Sequence, residues 1–296
     1  MLIDEAVEGE IRALEPLAPL HNAPALAGLE QARQVLPDLP HVAVFDTAFH
    51  ASLPAASSTY ALPRTWREDW GIRRYGFHGI SVQWSAERAP ELLGQSAKGL
   101  RLLVCHLGGG SSVTAVRDGR SLDTTMGFSP LEGIPMTTRS GSVDPGALVY
   151  VVREHGLGPD ELDEALNTGS GLEALAGRGG GMREVEAAAA EGDADARLAL
   201  DVFLHRLAGA VAAMAAAAGG LDALVFTAGI GENSALVREE ACERLAFLGV
   251  SIDPDANAEA EPDCDVAEAG SAVRVLVIRA REELVAARAA RSLLGL

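Results

Sequence analysis

The chain is poor in cysteine and in basic residues, and each shortage excludes a class of protein. Its 296 residues include three cysteines, Cys105, Cys242 and Cys264, with no short spacing between them. This odd set indicates neither a disulfide framework nor a zinc site and is typical of reduced thiols in a cytosolic protein. The 24 Lys and Arg stand against 42 Asp and Glu, a net charge of −18. Because neutralising nucleic-acid phosphates requires clustered cations, we expect no nucleic-acid partner.

Long hydrophobic runs are also missing. The longest, at residues 207–218, is shorter than the roughly 20 residues that a helix needs to cross a bilayer, and it predicts a buried helix. The N-terminal MLIDEAVEGEIRALEPL carries acids early and no continuous apolar stretch, which is the reverse of a secretory signal. We therefore expect a cytoplasmic protein with no membrane partner. Its 48% apolar residues are enough for one large core or two ordinary ones.

Short strands dominate the middle of the chain. Helical spacing covers residues 4–15 and 24–35, and the apolar run HVAVF at 41–45 predicts a buried strand. Three further strands are predicted where short segments are separated by Gly-rich or Asp-Gly turns, at 101–107, 111–116 and 120–125. This is the pattern of an antiparallel meander.

Strand-to-helix units follow the meander. Helices are predicted at 145–155, 159–167, 182–191 and 194–218. Residues 222–227 and 273–278 predict strands that lead into helices beginning near Asn233 and at Arg281. Hairpin strands combined with strand-to-helix units predict an α/β domain with a mixed sheet.

Two glycine-rich segments are candidates for phosphate binding. In 106–111 (HLGGGS) three glycines can bring backbone N–H groups against a phosphate, although a Gly-rich turn without a ligand is equally compatible with the sequence. Residues 228–233 (AGIGEN) stand where a strand leads into a helix, the place where open α/β sheets bind ligands. A tight turn that needs glycine is the structural alternative.

Two further segments concentrate polar groups. Arg139 lies in residues 136–145, whose sequence shows neither helical nor strand periodicity. Its planar guanidinium group is free there to bind a phosphoryl group, or it is simply exposed to solvent. Residues 73–79 (RRYGFHG) combine cations, aromatic rings and His78. For His78 alone, a histidine packed in the core would be the default interpretation.

The joint occurrence of these segments decides the interpretation. In order and spacing they resemble the signature blocks of the acetate kinase family, and the resemblance covers essentially the whole chain. The blocks are 44–50 (VFDTAFH), 72–79 (IRRYGFHG), 106–110 (HLGGG), 126–133 (MGFSPLEG), 138–141 (TRSG) and 226–234 (FTAGIGENS). Weaker matches lie at 18–22 (APLHN) and 281–286 (REELVA). A sugar kinase of the same superfamily would share the glycine turns but not the RRYGFHG and TRSG blocks.

The resemblance implies a fold and a reaction. The fold is α/β, the actin-like ATPase (ribonuclease H-like) fold of the acetate and sugar kinase superfamily, with an incomplete first domain expected here. In the family the nucleotide binds between two domains and the protein is usually a homodimer. We expect residues 1–50 to belong to the first domain together with the helix at 284–296, and residues 51–283 to form the nucleotide-binding domain. The implied reaction is reversible phosphoryl transfer from ATP to acetate with Mg²⁺, giving acetyl phosphate and ADP.

The resemblance also assigns roles to individual residues. Arg139 and His78 would hold the equatorial oxygens of the transferred phosphoryl group. Asp46 would hold or tune this network, and His106 would orient the terminal phosphates of the nucleotide. Such placement matters because a negatively charged phosphoryl group must pass between two oxyanions.

A second group of residues would bind the substrates. Leu20, Phe77 and Pro130 resemble residues that line the family's small apolar acyl pocket, and His21 resembles a family His near the acyl substrate. Because one methylene is worth only about 1–3 kcal/mol of discrimination, propionate is an alternative to acetate. The remaining residues resemble the family's ATP-binding and Mg²⁺-binding groups: Gly108, Gly109 and Gly110 in the phosphate loop, Gly229, Gly231 and Asn233 after the later strand, Arg183 beside the adenine, and Glu282 on the metal.

The chain departs from the family pattern at several positions. Gly109 stands in place of an Asn, Gly181 of an Asp, Ser142 of an Asp, Val82 of a His and Arg281 of an Asn. The family's Ser-rich phosphate turn with its Lys, and an Arg for the carboxylate, align before residue 1. A misplaced start, a degenerate gene and a truncated paralogue that binds nucleotide or a partner without catalysis are three open explanations.

Overall fold

The computed structural model describes residues 1–14 and 19–296, with the backbone alone at 19–22. Its helices are α1 (Glu5–Ala13), α2 (Pro19–Val35), α3 (Ala55–Ser58), α4 (Arg64–Glu68), α5 (Gly79–Leu92), α6 (Pro145–His155), α7 (Pro159–Asn167), α8 (Gly171–Ala176), α9 (Met182–Ala190), α10 (Ala194–Ala218), α11 (Ala228–Asn233), α12 (Ala235–Arg244), α13 (Pro254–Ala258) and α14 (Glu282–Leu294). The strands are β1 (Arg101–Leu107), β2 (Ser111–Arg117), β3 (Arg120–Thr124), β4 (Ala223–Thr227), β5 (Cys264–Asp265) and β6 (Arg274–Val277).

A mixed sheet forms the centre of the molecule, in the order β3-β2-β1-β4-β6-β5. The three meander strands pair antiparallel, as the turns at 108–110 and 118–119 require. Strands β1, β4 and β6 pair parallel, with Cys105 opposite Phe226 in the ladder. Because parallel strands end at the same edge, the segments after β1 and β4 leave the sheet side by side.

Both faces of the sheet are covered. Alternate residues of β1 face opposite sides, so Leu103 and Cys105 join one apolar cluster while Leu102 and Val104 join the other. The long helix α10 covers the first face, and Val82 of α5 and Val285 of α14 cover the second. Burial on both faces explains why RLLVCHL is a nearly continuous apolar run rather than an alternating one.

Helix α10 is the buried helix that the sequence predicts. Asp193 caps its start by accepting the N–H groups of Asp195 and Ala196, and Gly219 ends it in a left-handed conformation. By length and composition it is the one helix of the described chain that could cross a membrane, with 44% of the apolar window buried. Its residues Leu200, Phe203 and Leu207 are fully buried against the sheet, as in the core helix of a folded domain, which meets the same criterion.

The sequence-based elements are mostly confirmed, with two corrections. The predicted strand at 41–45 is wrong, because the structure pairs only Val42, in an isolated bridge to Leu2. Without a longer neighbouring strand in the described chain the apolar run cannot build a ladder. The helix predicted near Asn233 begins earlier, as α11 from Ala228, and α12 follows after Ser234. The boundaries of the two predicted domains stay predictions.

Candidate functional site

The two glycine segments meet at the carboxyl edge of the sheet. His106 lies opposite Thr227 in the parallel ladder, so the loops that follow start together. A Cβ built on Gly108 would lie 3.7 Å from the Cβ of Ala228 and 3.9 Å from the N of Gly229. These are ordinary van der Waals distances, so the two segments lie side by side at Gly108.

The first loop also approaches the two residues expected to hold a phosphoryl group. A Cβ on Gly110 would lie 3.1 Å from His78 Nε2 and 3.4 Å from Arg139 Nη1. Three sequence blocks separated by tens of residues therefore converge on one point.

Asp46 fixes the backbone of His78. Its Oδ2 accepts the N–H of His78 at 2.7 Å, and its Oδ1 lies 3.5 Å from the N of Ile80. His78 has a left-handed backbone (φ 58°) at the start of α5. The next residue must be glycine, since a Cβ on Gly79 would overlap the carbonyl oxygen of Asp46. The position of the His78 ring is thus set by a carboxylate and a glycine.

The His78 and His106 rings stack with centroids 3.9 Å apart and planes inclined by 21°. His78 Nδ1 lies 3.0 Å from Ser112 Oγ, and His106 Nδ1 lies 2.8 Å from Ser81 Oγ. Burial first, and then the neighbouring His78, lower the pKa of His106 well below its ordinary value, with Asp46 opposing them. His106 is therefore a neutral imidazole at neutral pH.

Arg139 is a partly buried cation without an acidic partner in the described chain. Its Nη1 donates to the carbonyl of Pro130 at 3.2 Å and contacts Met136 Sδ at 3.5 Å. Burial lowers the pKa of the guanidinium. Because a half-buried charge without a counter-ion is unfavourable, this arrangement favours an anionic ligand.

A cleft of about 360 Å³ opens beside the two loops and is lined by five of the eight predicted nucleotide residues. It is lined by Gly108, Gly109, Thr137, Met182, Arg183, Glu186, Gly229, Ile230, Asn233 and Ser234. Arg183 stands exposed on α9, and Asn233 Nδ2 donates to the carbonyl of Gly229 at 2.8 Å. His106, Gly110 and Gly231 do not line this cleft. Gly231 is buried, with its Cβ position 3.2 Å from the backbone of Phe226.

The residues expected to line an acyl pocket are only partly accounted for. Pro130 is buried and orients Arg139 through its carbonyl group, while the carbonyl of Phe77 lies 3.0 Å from the Nε2 of buried His50. The side chains of Leu20 and His21 lie outside the described residues. A closed pocket for the carboxylate therefore stays a prediction.

Glu282 begins α14 and lies near Asp46. Burial, then the charge of Asp46, then that of Glu283, raise its pKa. Two carboxylates brought together in partial burial fit Mg²⁺, which is bound by one or two carboxylates while substrate phosphates and water complete its shell. In the described part of the chain no group of three or more His, Cys, Asp or Glu is placed to hold a metal alone.

Comparison with known proteins decides the family. The model of the Acetokinase family matches residues 1–288. The chain belongs to the acetokinase family. The predicted family resemblance is thereby confirmed.

Relatives in the acetokinase family match nearly the whole chain. An acetate kinase of Microcystis aeruginosa is 51% identical over 287 residues, which are 97% of this chain and 71% of the relative. Two solved structures superpose closely, each over about three quarters of its own chain. A propionate kinase of Francisella tularensis has a TM-score of 0.91 at 42% identity, covering 96% of this chain and 73% of that one. An acetate kinase of Porphyromonas gingivalis has a TM-score of 0.92 at 37% identity, covering 99% of this chain and 74% of that one. The predicted fold class is confirmed.

Several residues of this acetokinase site escape sequence reasoning. Ser81 and Ser112 are the hydroxyl partners of the two histidines, and Glu186 faces the cleft, where Ser234 donates a hydrogen bond to it. Burial raises the pKa of Glu186. The only available signals are positional: Ser81 follows His78 by three residues, and Glu186 follows Arg183 by three on one helix face.

The departures from the acetokinase pattern differ in their surroundings. Gly109 is exposed with nothing within 4 Å of its Cβ position, so the loop has room for a side chain. Gly181 caps α9 with φ 78°. Val82 is fully buried in the second apolar cluster, and Ser142 Oγ accepts the N–H of Gly133 at 3.0 Å. Arg281 pairs with Asp263 at 3.2 Å.

Proposed function

We propose that this chain catalyses reversible phosphoryl transfer between ATP and a short carboxylate, with acetate as the acceptor and acetyl phosphate and ADP as the products. The observation that carries the proposal is the convergence of Gly110, His78 and Arg139, with 3.1 Å and 3.4 Å from the Cβ position of Gly110 to the two side chains. An acetokinase family member with this arrangement has its phosphoryl-binding groups in one place.

Arg139 supplies the fixed positive charge. One of its nitrogens is held by the Pro130 carbonyl, and its Nη2 and Nε donate to no residue of the described chain. These donors meet the equatorial oxygens of the phosphoryl group, whose charge spreads in a loose transition state. A donor pre-oriented before substrate arrives needs no reorganisation during the reaction.

The two histidines stand at the phosphate loop, and His106 acts as a neutral donor. With Nδ1 of His106 accepting from the Ser81 hydroxyl, the imidazole carries its proton on Nε2 and donates it toward a nucleotide phosphate oxygen. Asp46 holds the His78 backbone and so directs its Nε2 toward the phosphate loop. Burial and the neighbouring His78 favour the neutral form of the His106 ring.

Nucleotide occupies the cleft beside the loops. Gly108, Gly109 and Gly229 offer backbone to its phosphates, Asn233 meets its ribose or phosphates, and Arg183 stands at the adenine end. Glu282, with Asp46 nearby, would hold Mg²⁺. When bound, the metal neutralises charge on the nucleotide's phosphates.

The acceptor pocket is assigned to Phe77, Pro130, Leu20 and His21. Propionate kinase is the second candidate, because the structure of the Francisella tularensis propionate kinase superposes on 96% of this chain. Because contacts with one additional methylene group change the binding free energy by only about 1–3 kcal/mol, the same fold can accept either acetate or propionate.

Helix α6 is the proposed contact between two copies in a homodimer. It contains no buried residue, although its sequence is largely apolar, and Val149, Tyr150 and Val152 are 48%, 58% and 41% exposed. Beside it, Val143 and Leu175 line a cavity of about 600 Å³. An exposed apolar helix next to an open cavity suits a self-complementary interface. Sedimentation of the wild type and of Tyr150→Glu tests it: a dimer that becomes a monomer supports the assignment.

We place the enzyme in the cytoplasm, where its thiols stay reduced and ATP is available. The proposed function is tested with the purified 296-residue chain, MgATP and either acetate or propionate, by measuring acyl phosphate and ADP. Equal amounts of the two products are expected, with a higher kcat/KM for acetate. Nucleotide binding without turnover would instead identify a binding protein, and a higher kcat/KM for propionate would identify the second candidate.

A further inference from the structure

Glu232 joins two segments that are far apart in the sequence. Its Oε1 accepts the N–H of Ala228 at 3.1 Å and the N–H of Ala280 at 2.8 Å. One carboxylate oxygen therefore bridges two segments. The first is the nucleotide turn, which is the short helix α11 directly after β4, and the second is the segment between β6 and α14.

Each bridged segment leads to a residue of the proposed site. Ala228 opens the turn whose Gly229 and Asn233 line the nucleotide cleft. Ala280 stands two residues before Glu282, the proposed metal ligand. Glu232 thus adds a side-chain link, beyond the pairing of β4 with β6, between the nucleotide turn and the segment that leads to Glu282.

Both ends of the bridge are anchored. The Glu232 carbonyl accepts from Arg238 Nη1 at 2.9 Å, and Arg238, which is 2% exposed, also donates to Asn257 Oδ1 at 2.7 Å. On the other side, Asp263 accepts the N–H of Arg279 at 2.9 Å. Because both segments are held by further hydrogen bonds, Glu232 can fix their positions relative to each other.

The turn itself needs support. Ala228 has a left-handed backbone, φ 66°, which a residue with a Cβ rarely adopts. The hydrogen bond from its N–H to Glu232 holds this conformation within the turn. Loss of the acceptor releases the turn and the Ala280 segment together.

We propose that Glu232 is a positioning residue that holds the nucleotide turn and Glu282 in register, so that nucleotide and its metal are bound as one unit. This inference rests on the proposed function for the identity of the ligand. The essential feature of Glu232 is its acceptor oxygen and not its charge.

The matched variants are Glu232→Gln, which keeps a carbonyl acceptor, and Glu232→Leu, which keeps the size and removes it. Calorimetry measures the Kd for ATP with Mg²⁺ and with EDTA. Glu232→Leu is expected to weaken Mg·ATP binding by about 10–100-fold and metal-free ATP binding much less, whereas Glu232→Gln stays close to the wild type. Equal losses in both variants, or none in Glu232→Leu, overturn the proposal.

Hydrogen exchange at the amides of Ala228 and Ala280 gives a readout that needs no nucleotide. Both amides should exchange faster in Glu232→Leu and at the wild-type rate in Glu232→Gln, and unchanged exchange in Glu232→Leu refutes the link whatever the activity. A wild type that fails to make acyl phosphate while this exchange pattern holds refutes the proposed function alone. If Glu232→Leu does not fold, Glu232→Ala replaces it in the same comparison.

Discussion

The ring centroids of His78 and His106 lie 3.9 Å apart, with the planes nearly parallel. The Nδ1 atom of each ring lies within hydrogen-bond distance of a serine hydroxyl. Two imidazoles at this distance cannot both be protonated without strong repulsion. The stack therefore favours a neutral His106, and this has consequences for the pH dependence of stability.

The first prediction concerns the free energy of unfolding. Burial lowers the pKa of His106 and of His50 below 6.5, so the unfolded chain binds protons more tightly than the folded chain. This contribution is complete above pH 6.5 and is lost as the pH falls below 6.5 toward the folded-state pKa, by about 1.4 kcal/mol per pH unit for each histidine. Denaturant titrations between pH 7.5 and 5.5 measure it. His106→Gln should reduce the slope, and an unchanged slope contradicts the assignment.

The second prediction separates two adjacent glycines of the phosphate loop. Gly110→Ala pushes a methyl group to 3.1 Å from His78 Nε2 and should lower kcat by about 10–100-fold, because a small displacement of catalytic groups is costly. Gly109→Ala meets nothing within 4 Å and is the control, with kcat near that of the wild type. Steady-state kinetics decide between them. Equal kcat values in the two variants would place the reacting phosphate elsewhere.

The third prediction uses the open space at Gly109. Gly109→Asn should restore a side-chain donor to the phosphates and lower the KM for ATP by about tenfold, equivalent to ~1.5 kcal/mol for a charge-assisted hydrogen bond. Gly109→Leu adds a side chain of similar size without a donor and serves as the control. An Asn variant no better than the Leu variant argues against phosphate contact at this position.

The fourth prediction tests the contact between Gly79 and Asp46. Gly79→Ala should lower the free energy of unfolding by about 1–3 kcal/mol, because its Cβ overlaps a backbone oxygen that cannot move easily. Gly209→Ala, in the exposed interior of α10, has free space and should raise it by up to about 1 kcal/mol. Opposite signs in denaturant titrations are expected. The same sign in both would mean that Gly79 is not sterically required.

The sequence predicts much of the framework, because periodicity and glycine stops are local. The bounds of α6 and α10 follow from Asp caps and terminal glycines that stand in the sequence itself. The prediction of a strand at 41–45 is wrong because a strand needs a neighbouring strand to pair with, and the local sequence does not specify one. The contacts of Ser81, Ser112 and Glu186 are likewise set by packing between distant elements.

The sequence predicts which segments form the candidate site but not the individual contacts within it. Resemblance brings Arg139, His78 and the glycine loop into one hypothesis, and the structure places these three together. What the blocks do not encode is which glycine lies against the proposed phosphoryl-binding groups: a Cβ on Gly110 would lie 3.1 Å from His78 and 3.4 Å from Arg139, whereas one on Gly109 would face open space. That difference depends on the path of a loop in three dimensions.

Arg139 is the residue proposed to stabilise the phosphoryl group during transfer. The most direct test of this role is the rate of ATP formation from acetyl phosphate and MgADP by the wild type, Arg139→Lys and Arg139→Ala. Arg139→Ala is expected to lower kcat by about 10²–10³-fold with little change in nucleotide affinity, and Arg139→Lys, which lacks the planar guanidinium, should restore only part of the rate. An Arg139→Ala enzyme with wild-type kcat would show that Arg139 does not stabilise the transferred group.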